Sequence, residues 1–395
     1  MKRTITAAAT LARGRTLRMA AACDGDTAQA ACELRWLADA VLQRRVGSVF
    51  VRQRVGWPPA RASEQAVREP HGRSLRRLRA LAGELAACGS NGAAVEAFVE
   101  RHLAQHELQR LDRWIWQRTD GHKPLQFVLG SQPFGGLEIR VRPPTLIPRW
   151  ETEEWVERLA ADIAAAHAAH GDSPRPLRIL ELCSGSGCIS LLLAHTLQHL
   201  APRIVAVDVA QAAVLLARAN QRRLGIDTAS GLDFVCGDIT DDSLVPRLLG
   251  LSPPRASTGG KVDLHQNQTG FDVIVANPPY IPPHEYAALD PSVAQWEDRG
   301  ALLAPDSRGI CFFERIEQMA AALLAMRGSG ARPHVHATLG PHPLCESGAI
   351  PRLVFEIGHA QDADVARQLG VVEWTRTKVH ADLAGRNRCI AKYMS

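Results

Sequence analysis

The feature that most constrains the fold is a regular alternation of short apolar segments with longer amphipathic segments, from residue 151 to the end of the chain. The apolar segments, predicted as strands, are Leu177–Leu182, Arg203–Val207, Leu232–Val235, Phe271–Ala276, Leu353–Ile357 and Arg388–Tyr393. The amphipathic segments, predicted as helices, are Thr152–His167, Ile189–Leu200, Gln211–Leu224 and Cys311–Met326. Strands that alternate with helices form βαβ units with parallel strands. This part of the chain is therefore predicted to be an α/β domain with a doubly wound parallel sheet.

The composition is that of a packed globular protein. Of 395 residues, 46% are hydrophobic and 22% are charged, which excludes wholesale disorder and collagen-like or coiled-coil architectures. No apolar run approaches the ~18 residues that a membrane span needs, so we expect no contact with the membrane. The nine cysteines include no CxxC pair. Their scatter favours free thiols in a reducing compartment and predicts no metal site.

Residues 1–23 have the composition of a mitochondrial transit peptide. They include five basic residues, four threonines and no acidic residue. No apolar core of the kind found in secretory signals follows the charges. The alternative is an N-terminus whose composition reflects only a GC-rich genome. The transit peptide predicts a location in the mitochondrial matrix.

Residues 26–118 are predicted to form a small helical domain. Three segments show apolar positions at helical spacing, namely Ala28–Arg45, Ser74–Cys88 and Ala93–Arg118. The stretch 44–79 carries ten arginines and only two acidic residues. Such a stretch could face RNA or an RNA-binding partner. A solvated helical face followed by a loop explains it equally well, and the sequence leaves both interpretations open.

Residues 119–150 are predicted to contain a β-hairpin and a linker. Two apolar runs, Leu125–Leu129 and Leu137–Val141, flank a glycine-containing loop, and a proline-rich segment follows them. Further along the chain, residues 252–270 and 328–348 are rich in Pro, Gly, Ser and His and have no periodicity. We expect both to be insertions in surface loops.

The first predicted strand turns into its helix through a glycine-rich segment. Gly185 and Gly187 allow a ligand to approach the backbone, and the helix N-terminus offers N–H groups. Asp208 ends the second strand, where a carboxylate can bind ribose hydroxyls, and Asp238 ends the third. Ser190 stands where a dinucleotide fingerprint has its third glycine, which favours a nucleoside ligand without a pyrophosphate. The alternative is that both aspartates are helix N-caps.

The fourth predicted strand ends in the tetrapeptide Asn277-Pro278-Pro279-Tyr280. Proline has no backbone N–H, so this turn offers mainly acceptors. The Asn277 amide oxygen and the Pro278 carbonyl could each accept one N–H of a planar NH2 group lying against the Tyr280 ring. Holding both N–H groups would aim a weakly nucleophilic nitrogen at an electrophile without a general base. The alternative is a rigid turn with no chemistry.

These motifs together resemble a known family. ELCSGSG, the strand-end Asp208 and NPPY are similar to class I S-adenosylmethionine-dependent methyltransferases of amino nitrogens. The segment from Leu146 to Glu154, LIPRWETEE, resembles the IPR-x-(D/E)-T-E signature of the HemK/PrmC family, which methylates the N5 of a release-factor glutamine. The segments Val354–Gly358 and Asp382–Arg388 also resemble that family. The leader and the segment from residue 131 to 155 are similar to its mitochondrial branch.

The resemblance implies a Rossmann-like class I methyltransferase domain (151–395), preceded by a substrate-docking helical domain and a β-hairpin. It implies S-adenosyl-L-methionine as cofactor, with contacts from Glu181, Cys183, Ser184, Gly185, Ser186, Gly187, Asp208, Asp238, Ile239 and Asn277. The catalytic and glutamine-holding residues implied are Asn277, Pro278, Pro279 and Tyr280. Arg149 and Glu151 could also bind the release factor, but an ion-paired linker that anchors the N-terminal domain explains them equally well. Two positions depart from the common family pattern, because 181 is Glu instead of Asp and 239 is Ile instead of an aromatic residue.

The activity expected from this resemblance is methylation of the GGQ-motif glutamine in a mitochondrial class 1 peptide-chain release factor. We expect a monomer that does not bind nucleic acid directly. Three alternatives remain: glutamine methylation of ribosomal protein L3, a DNA or RNA amino-methyltransferase, and a non-catalytic assembly factor. The L3-specific branch carries an RSP-x-x-E segment where this chain has Arg149–Glu153, which separates the first alternative from the expected activity.

Overall fold

The computed structural model describes residues 15–20, 22–44, 72–171, 173, 175–226, 231–250, 270–324, 342–368 and 370–394. The chain divides into two compact units. The helical unit comprises Met1–Ser131 and Pro291–Trp296, and the sheet unit comprises Gln132–Asp290 and Glu297–Ser395. Most of the Arg-rich stretch (45–71) and most of both predicted insertions (251–269 and 325–341) lie outside the described residues.

The helical unit packs amphipathic helices around one apolar core. Its helices are α1 (Thr27–Gln43), α2 (Gly72–Ala87), α3 (Gly92–His102), α4 (Gln105–Thr119) and α5 (Leu125–Leu129), together with α11 (Pro291–Ala294). Asp26 and Asn91 cap α1 and α3 by accepting backbone N–H groups, as short polar residues do at helix starts. Leu34, Leu37 and Val99 are among the residues of its buried core.

Residues 15–20 are helical and packed into the helical unit. Met19 is fully buried in its core, and the Arg15 guanidinium pairs with Asp112 at 2.6 Å. The predicted transit peptide, residues 1–23, overlaps this segment, while residues 1–14 and 21 lie outside the described part of the chain.

Two local sequence predictions in this region are wrong. The helix expected over Ala93–Arg118 is broken between α3 and α4, because Leu103 and Ala104 are extended and the Glu107 carboxylate accepts the Ala104 N–H at 2.8 Å. Leu125–Leu129 is not a strand but the short helix α5. Gly130, with a φ of 88°, ends it.

The hairpin is present, but its first strand lies in the segment expected to be the loop. Strand β1 (Ser131–Phe134) pairs with β2 (Leu137–Arg140) across a turn at Gly135 and Gly136, whose φ values are 54° and 77°. Phe134, Leu137 and Ile139 are buried in the apolar cluster of the sheet unit. The hairpin is therefore fixed to the sheet unit by its apolar side chains.

The sheet unit contains a seven-stranded mixed sheet in the order β5-β4-β3-β6-β7-β9-β8. Its strands are β3 (Arg178–Leu182), β4 (Arg203–Asp208), β5 (Leu232–Cys236), β6 (Val273–Ala276), β7 (Leu353–Glu356), β8 (Arg376–Ala381) and β9 (Asn387–Tyr393). The first five are parallel, as predicted. The last strand, β9, is antiparallel to both β7 and β8. The sequence predicted β9, but it predicted neither β8 nor the antiparallel pairing. The order confirms the Rossmann-like α/β class.

Helices cover both faces of this sheet. They are α6 (Trp150–His170), α7 (Cys188–Thr196), α8 (Gln211–Arg223), α9 (Leu244–Leu248), α10 (Pro283–Tyr286), α12 (Arg299–Leu302), α13 (Cys311–Leu323), α14 (Pro343–Glu346) and α15 (Asp362–Gln368). One apolar cluster includes side chains of α6 and α7 and the other includes side chains of α13. Within the described residues, no helix is both long and apolar enough to span a membrane.

The strand order reverses at β3, whose neighbours are β4 on one side and β6 on the other. In open α/β sheets, ligands bind outside the carboxyl ends of the strands at such a reversal. Leu182 is the register partner of both Val207 and Ala276. The glycine-rich turn, Asp208 and the tetrapeptide therefore start side by side at this edge.

At the opposite edge, Asp272 anchors the start of β6. Its buried carboxylate accepts two hydrogen bonds from the Arg175 guanidinium at 2.6 Å and one from the Arg178 backbone N–H at 2.9 Å. Burial opposes ionisation of Asp272, but the hydrogen bonds and charge of Arg175 outweigh it and lower the pKa. This carboxylate is thus a structural anion, compensated by fixed donors.

We expect Asp272→Ala to lower the free energy of unfolding by about 3 kcal/mol or more, because it removes the buried carboxylate that the Arg175 guanidinium and the Arg178 N–H share. The matched control is Asp242→Ala, whose exposed carboxylate pairs with Arg315 at 2.7 Å and should cost less than about 1 kcal/mol. Urea unfolding of both variants measures the difference, and equal losses would contradict the assignment. Since the pKa of Asp272 is lowered on folding, its contribution should disappear as the pH falls below about 4.

Candidate active site

The glycine-rich turn after β3 depends on three residues with positive φ. Cys183, Gly185 and Gly187 have φ values of 63°, 53° and 79°. The Ser184 N–H donates to the Val207 carbonyl at 3.0 Å, and the Gly187 N–H donates to the Ser184 carbonyl at 2.8 Å. Burial raises the pKa of the Cys183 thiol, with neighbouring carboxylates adding to the effect, so this thiol stays neutral. Cys183 is therefore no nucleophile.

The two glycines of this turn serve different purposes. A Cβ at Gly187 would lie 2.8 Å from the Phe234 ring and 2.9 Å from Ala217 Cβ, so this glycine allows close helix–strand packing. A Cβ at Gly185 would have no atom within 4 Å among the described residues. Gly185 thus leaves its backbone approachable from the open side of the turn.

Asp208 lies at the end of β4 and fixes the glycine-rich turn. Its Oδ2 accepts the Gly185 N–H at 2.7 Å, and its Oδ1 accepts the Ala210 N–H at 2.8 Å. Burial raises the pKa of Asp208, while these two hydrogen bonds oppose the rise. A carboxylate with two oxygens has further lone pairs for a ligand. Asp208 is not the N-cap residue of α8, which is Ala210.

Asp238 and Ile239 follow β5 at the same edge. The exposed Asp238 carboxylate accepts the Thr240 N–H and hydroxyl at 2.8 Å, in a local turn well before α9. Ile239 is buried in an apolar cluster with Val207, and its carbonyl accepts Arg315 Nε–H at 2.7 Å. The structure therefore places a buried apolar side chain at position 239.

Glu181 is a fully buried acid in β3, directly before the glycine-rich turn. Its Oε2 accepts the Ser190 N–H at 3.0 Å and the Ser190 hydroxyl, whereas its Oε1 has no partner among the described residues. Burial raises the pKa of Glu181 to about 8, against the lowering effect of the Ser190 hydrogen bonds. The nearby buried Ser184 hydroxyl also has no hydrogen-bond partner within the described part of the chain. Two such polar groups beside an open glycine turn fit a polar, cation-bearing ligand.

The tetrapeptide follows β6 and is held from two sides. Tyr280 donates its hydroxyl to Glu356 Oε1 at 3.2 Å, and burial together with the Glu356 charge raises the pKa of this phenol. The Tyr280 carbonyl accepts Gln361 Nε2–H at 2.9 Å. Asn277 donates an amide N–H to the Thr152 hydroxyl oxygen at 3.4 Å. The turn is thus fixed through its first and last residues.

Three residues of this site were not predicted as functional: Thr152, Trp155 and Glu356. Glu356 ends β7 and is 1% exposed; its Oε2 accepts the Thr152 hydroxyl at 2.5 Å and Trp155 Nε1–H at 3.0 Å. Burial raises the pKa of Glu356, opposed by these donors and by the charge of Arg388. Thr152 lies in the LIPRWETEE segment and Glu356 in Val354–Gly358. Both segments contributed to the family resemblance, but Thr152 and Glu356 are too far apart in the sequence for a local pattern to predict their contact.

Arg149 and Glu151 have different surroundings. The Arg149 guanidinium pairs with the buried Glu297 at 2.6 Å, and Glu297 also accepts the Ile147 N–H at 2.9 Å. Both residues of this ion pair belong to the sheet unit. Glu151 is half-buried and contributes to raising the pKa of Arg388. Substrate binding by Arg149 and Glu151 stays a prediction.

Comparison with known proteins identifies the family. The chain is 32% identical over 270 residues to the probable MRF1 mitochondrial N(5)-glutamine methyltransferase mtq1 of Schizosaccharomyces pombe, covering 68% of this chain and 74% of that protein. The chain belongs to the release factor glutamine methyltransferase family. It is also 33% identical to the human MTRF1L release factor glutamine methyltransferase over 58% of this chain and 57% of the human protein. The family resemblance inferred from the sequence motifs is confirmed.

The chain was also compared with protein-family models and with solved structures. No protein-family model matches the chain. Among solved structures, it aligns with the hMettl16 catalytic domain in complex with a MAT2A 3'UTR hairpin at 16% identity and a TM-score of 0.39, over 74% of this chain and 82% of the other.

We expect Glu181 to make the folded state less stable as the pH rises. Its pKa is about 8 in the folded chain, against about 4.3 in an unfolded chain. Between these values the folded state keeps a proton that the unfolded state has lost, so the free energy of unfolding falls with rising pH. Glu181→Gln should remove this component and flatten the curve between pH 5 and 8. Urea unfolding across that range measures it.

The matched control for this measurement is Glu285→Gln, at a well-exposed carboxylate near His284. It should leave the pH dependence of the wild-type chain unchanged. A Glu181→Gln curve parallel to the wild-type curve would show that Glu181 is ionised in the folded state at neutral pH.

Proposed function

We propose that this chain transfers the methyl group of S-adenosyl-L-methionine to the side-chain amide nitrogen (N5) of the GGQ-motif glutamine in a mitochondrial class 1 release factor. The observation that carries the proposal is an acceptor-bearing Asn-Pro-Pro-Tyr turn beside an open glycine-rich turn. Membership of the release factor glutamine methyltransferase family supports the substrate. The S. pombe relative is named for the mitochondrial MRF1, and the human relative for MTRF1L.

The residues at the strand ends fit the proposed cofactor. Glu181 Oε1 is a buried acceptor suited to an ammonium group, and Asp208 has lone pairs left for ribose hydroxyls. Gly185 and its neighbours Cys183, Ser184, Ser186 and Gly187 would border the part of the cofactor that lies between its ammonium group and its ribose. Asp238 and the buried Ile239 would lie beside the adenine of the cofactor. When bound, the cofactor supplies a methyl group whose C–S bond breaks as the N–C bond forms, leaving a neutral thioether, while the amide proton passes to water.

The tetrapeptide would hold the glutamine amide. The Asn277 Oδ1 and the Pro278 carbonyl would each accept one N–H of the substrate, and the Tyr280 ring would lie against the amide plane. An amide nitrogen is a weak nucleophile because its lone pair is delocalised. Acceptors on both N–H groups raise the electron density on nitrogen and fix its direction of attack. This step requires no general base, and the exposed His284 is given no role.

We propose a mitochondrial location, in the matrix, for the mature chain. The basic leader and the mitochondrial names of relatives support it. Because Met19 is buried and Arg15 pairs with Asp112, a leader removed after import would end before Arg15 instead of at residue 23. The helical unit would dock the release factor, and the protein would act as a monomer.

We expect the purified chain to transfer labelled methyl from S-adenosylmethionine to purified mitochondrial release factor. Label should appear on the factor with an intact GGQ glutamine and be absent when that glutamine is replaced by alanine. Ribosomal protein L3 and DNA, tested in parallel, should stay unlabelled. Label on L3 or on DNA would show that the proposed substrate is wrong. Absence of cofactor binding by calorimetry would favour the non-catalytic assembly factor.

We expect Asn277→Ala to lower kcat about 10²-fold or more, because one acceptor for the substrate amide is lost while the cofactor edge is retained. The affinity for S-adenosylmethionine should change less than about threefold. Asn387→Ala, at an exposed position at the start of β9, is the matched control and should keep the wild-type rate. Unchanged methylation by Asn277→Ala would refute the role given to the tetrapeptide.

A further inference from the structure

A chain of hydrogen bonds runs from a buried carboxylate to the tetrapeptide. Glu356 Oε2 accepts the Thr152 hydroxyl proton at 2.5 Å, and the Thr152 oxygen accepts Asn277 Nδ2–H at 3.4 Å. Glu356 and Thr152 are 1% and 2% exposed. Water therefore does not replace either partner in this chain, and its direction is set by the protein groups alone.

The direction of this chain follows from what each group can donate. An ionised carboxylate only accepts, whereas a threonine hydroxyl has one proton to give and lone pairs to receive. The proton of Thr152 is committed to Glu356, so Thr152 can only accept from Asn277. The NH2 arm of the Asn277 amide must then face Thr152. Because the amide is planar, its Oδ1 arm faces away, toward the side where a substrate N–H would be bound.

The acceptor role of Glu356 Oε2 is fixed by the groups that converge on it, although burial raises the pKa of this carboxyl. Trp155 Nε1–H is a pure donor, and it shares Oε2 with Thr152 while Tyr280 donates to Oε1. The positive charge of Arg388 and these donors lower the pKa of Glu356, but burial outweighs them. With three donors around one carboxylate, the same residue fixes Asn277 through Thr152 and fixes Tyr280 directly.

We infer that Glu356 and Thr152 are positioning residues: they hold the Asn277 amide in the one orientation that presents its oxygen to the substrate. This inference rests on the proposed function, since it explains how the glutamine-holding turn acquires its polarity. An asparagine amide that is free to rotate by 180° would present NH2 to the substrate N–H in part of the population. Such an orientation repels the substrate amide.

The first test compares Thr152→Val with Thr152→Ser. Valine keeps the shape of threonine without the hydroxyl, and serine keeps the hydroxyl. Thr152→Val should lower kcat about tenfold or more, with KM for the release factor and the affinity for S-adenosylmethionine within about threefold of wild type. Thr152→Ser should restore most of kcat. Thr375→Val, which removes a hydroxyl that donates to the Tyr393 carbonyl at 3.1 Å, is the matched control and should keep kcat.

The second test places Thr152→Val in an Asn277→Ala background. If Thr152 acts through Asn277, its loss should change the residual rate less than about twofold there, although it costs tenfold in the wild-type background. A loss of similar size in both backgrounds would overturn the inference, because it would indicate a general structural effect. Glu356→Gln should likewise lower the rate less in the Asn277→Ala background than in the wild-type background, because part of its effect passes through Thr152 and Asn277.

A third measurement needs no activity. The side-chain NH2 resonances of Asn277 can be identified in 15N–1H correlation spectra of the full chain, because they disappear in Asn277→Asp. Thr152→Val should shift this pair of resonances, and Thr375→Val should not. An unmoved pair in Thr152→Val overturns the inference even if the wild-type chain methylates its substrate. A shifted pair in a chain that labels no release factor would instead overturn the proposed function and keep the hydrogen-bond chain.

Discussion

The parallel pairing of β3 with β4 on one side and β6 on the other is the constraint on which the rest of the structure depends. These strands are largely buried, so their backbone N–H and C=O groups have to pair with each other. The resulting register sets Leu182 beside both Val207 and Ala276. Residues that directly follow those positions therefore meet at one edge, although they are far apart in the sequence. The glycine-rich turn, Asp208 and Asn277 are neighbours for this reason.

The buried acids show which edge of the sheet is structural and which is chemical. Asp272, at the amino end of β6, has the Arg175 guanidinium as partner, and its pKa is lowered. Glu181, at the carboxyl end of β3, has donors from Ser190 alone among the described residues, and burial raises its pKa. A buried acid without a fixed cation costs folding free energy that the fold does not recover by itself. Such acids are typical of sites where a ligand supplies the missing charge.

The sequence predicted the parts of the fold whose strands are buried on both faces, because such strands appear as continuous apolar runs. Strand β8 was missed because most of its side chains are exposed and it has no apolar alternation. The run Leu125–Leu129 was misread because a five-residue, mostly apolar segment between Pro124 and Gly130 suits a short helix as well as a strand. The glycine-rich turn and the tetrapeptide are local motifs and could be found. The Thr152–Glu356 contact joins residues 204 positions apart, which no local pattern encodes.

The polarity of the tetrapeptide bears directly on which side chain can bind there. Pro278 and Pro279 have no N–H, the Tyr280 hydroxyl donates to Glu356, and the Asn277 NH2 arm donates to Thr152. These two side-chain donors are thus directed inward, toward one buried carboxylate, and under the proposed function the Asn277 Oδ1 and the Pro278 carbonyl are left as acceptors for the substrate. A glutamine amide brings two N–H groups to such a surface. Glutamate would bring only acceptors at neutral pH, and a hydroxyl would bring one proton, so neither can satisfy both positions. Under the proposed function, the inward direction of these two side-chain donors favours a primary amide as substrate, and this preference originates at Glu356, behind the turn.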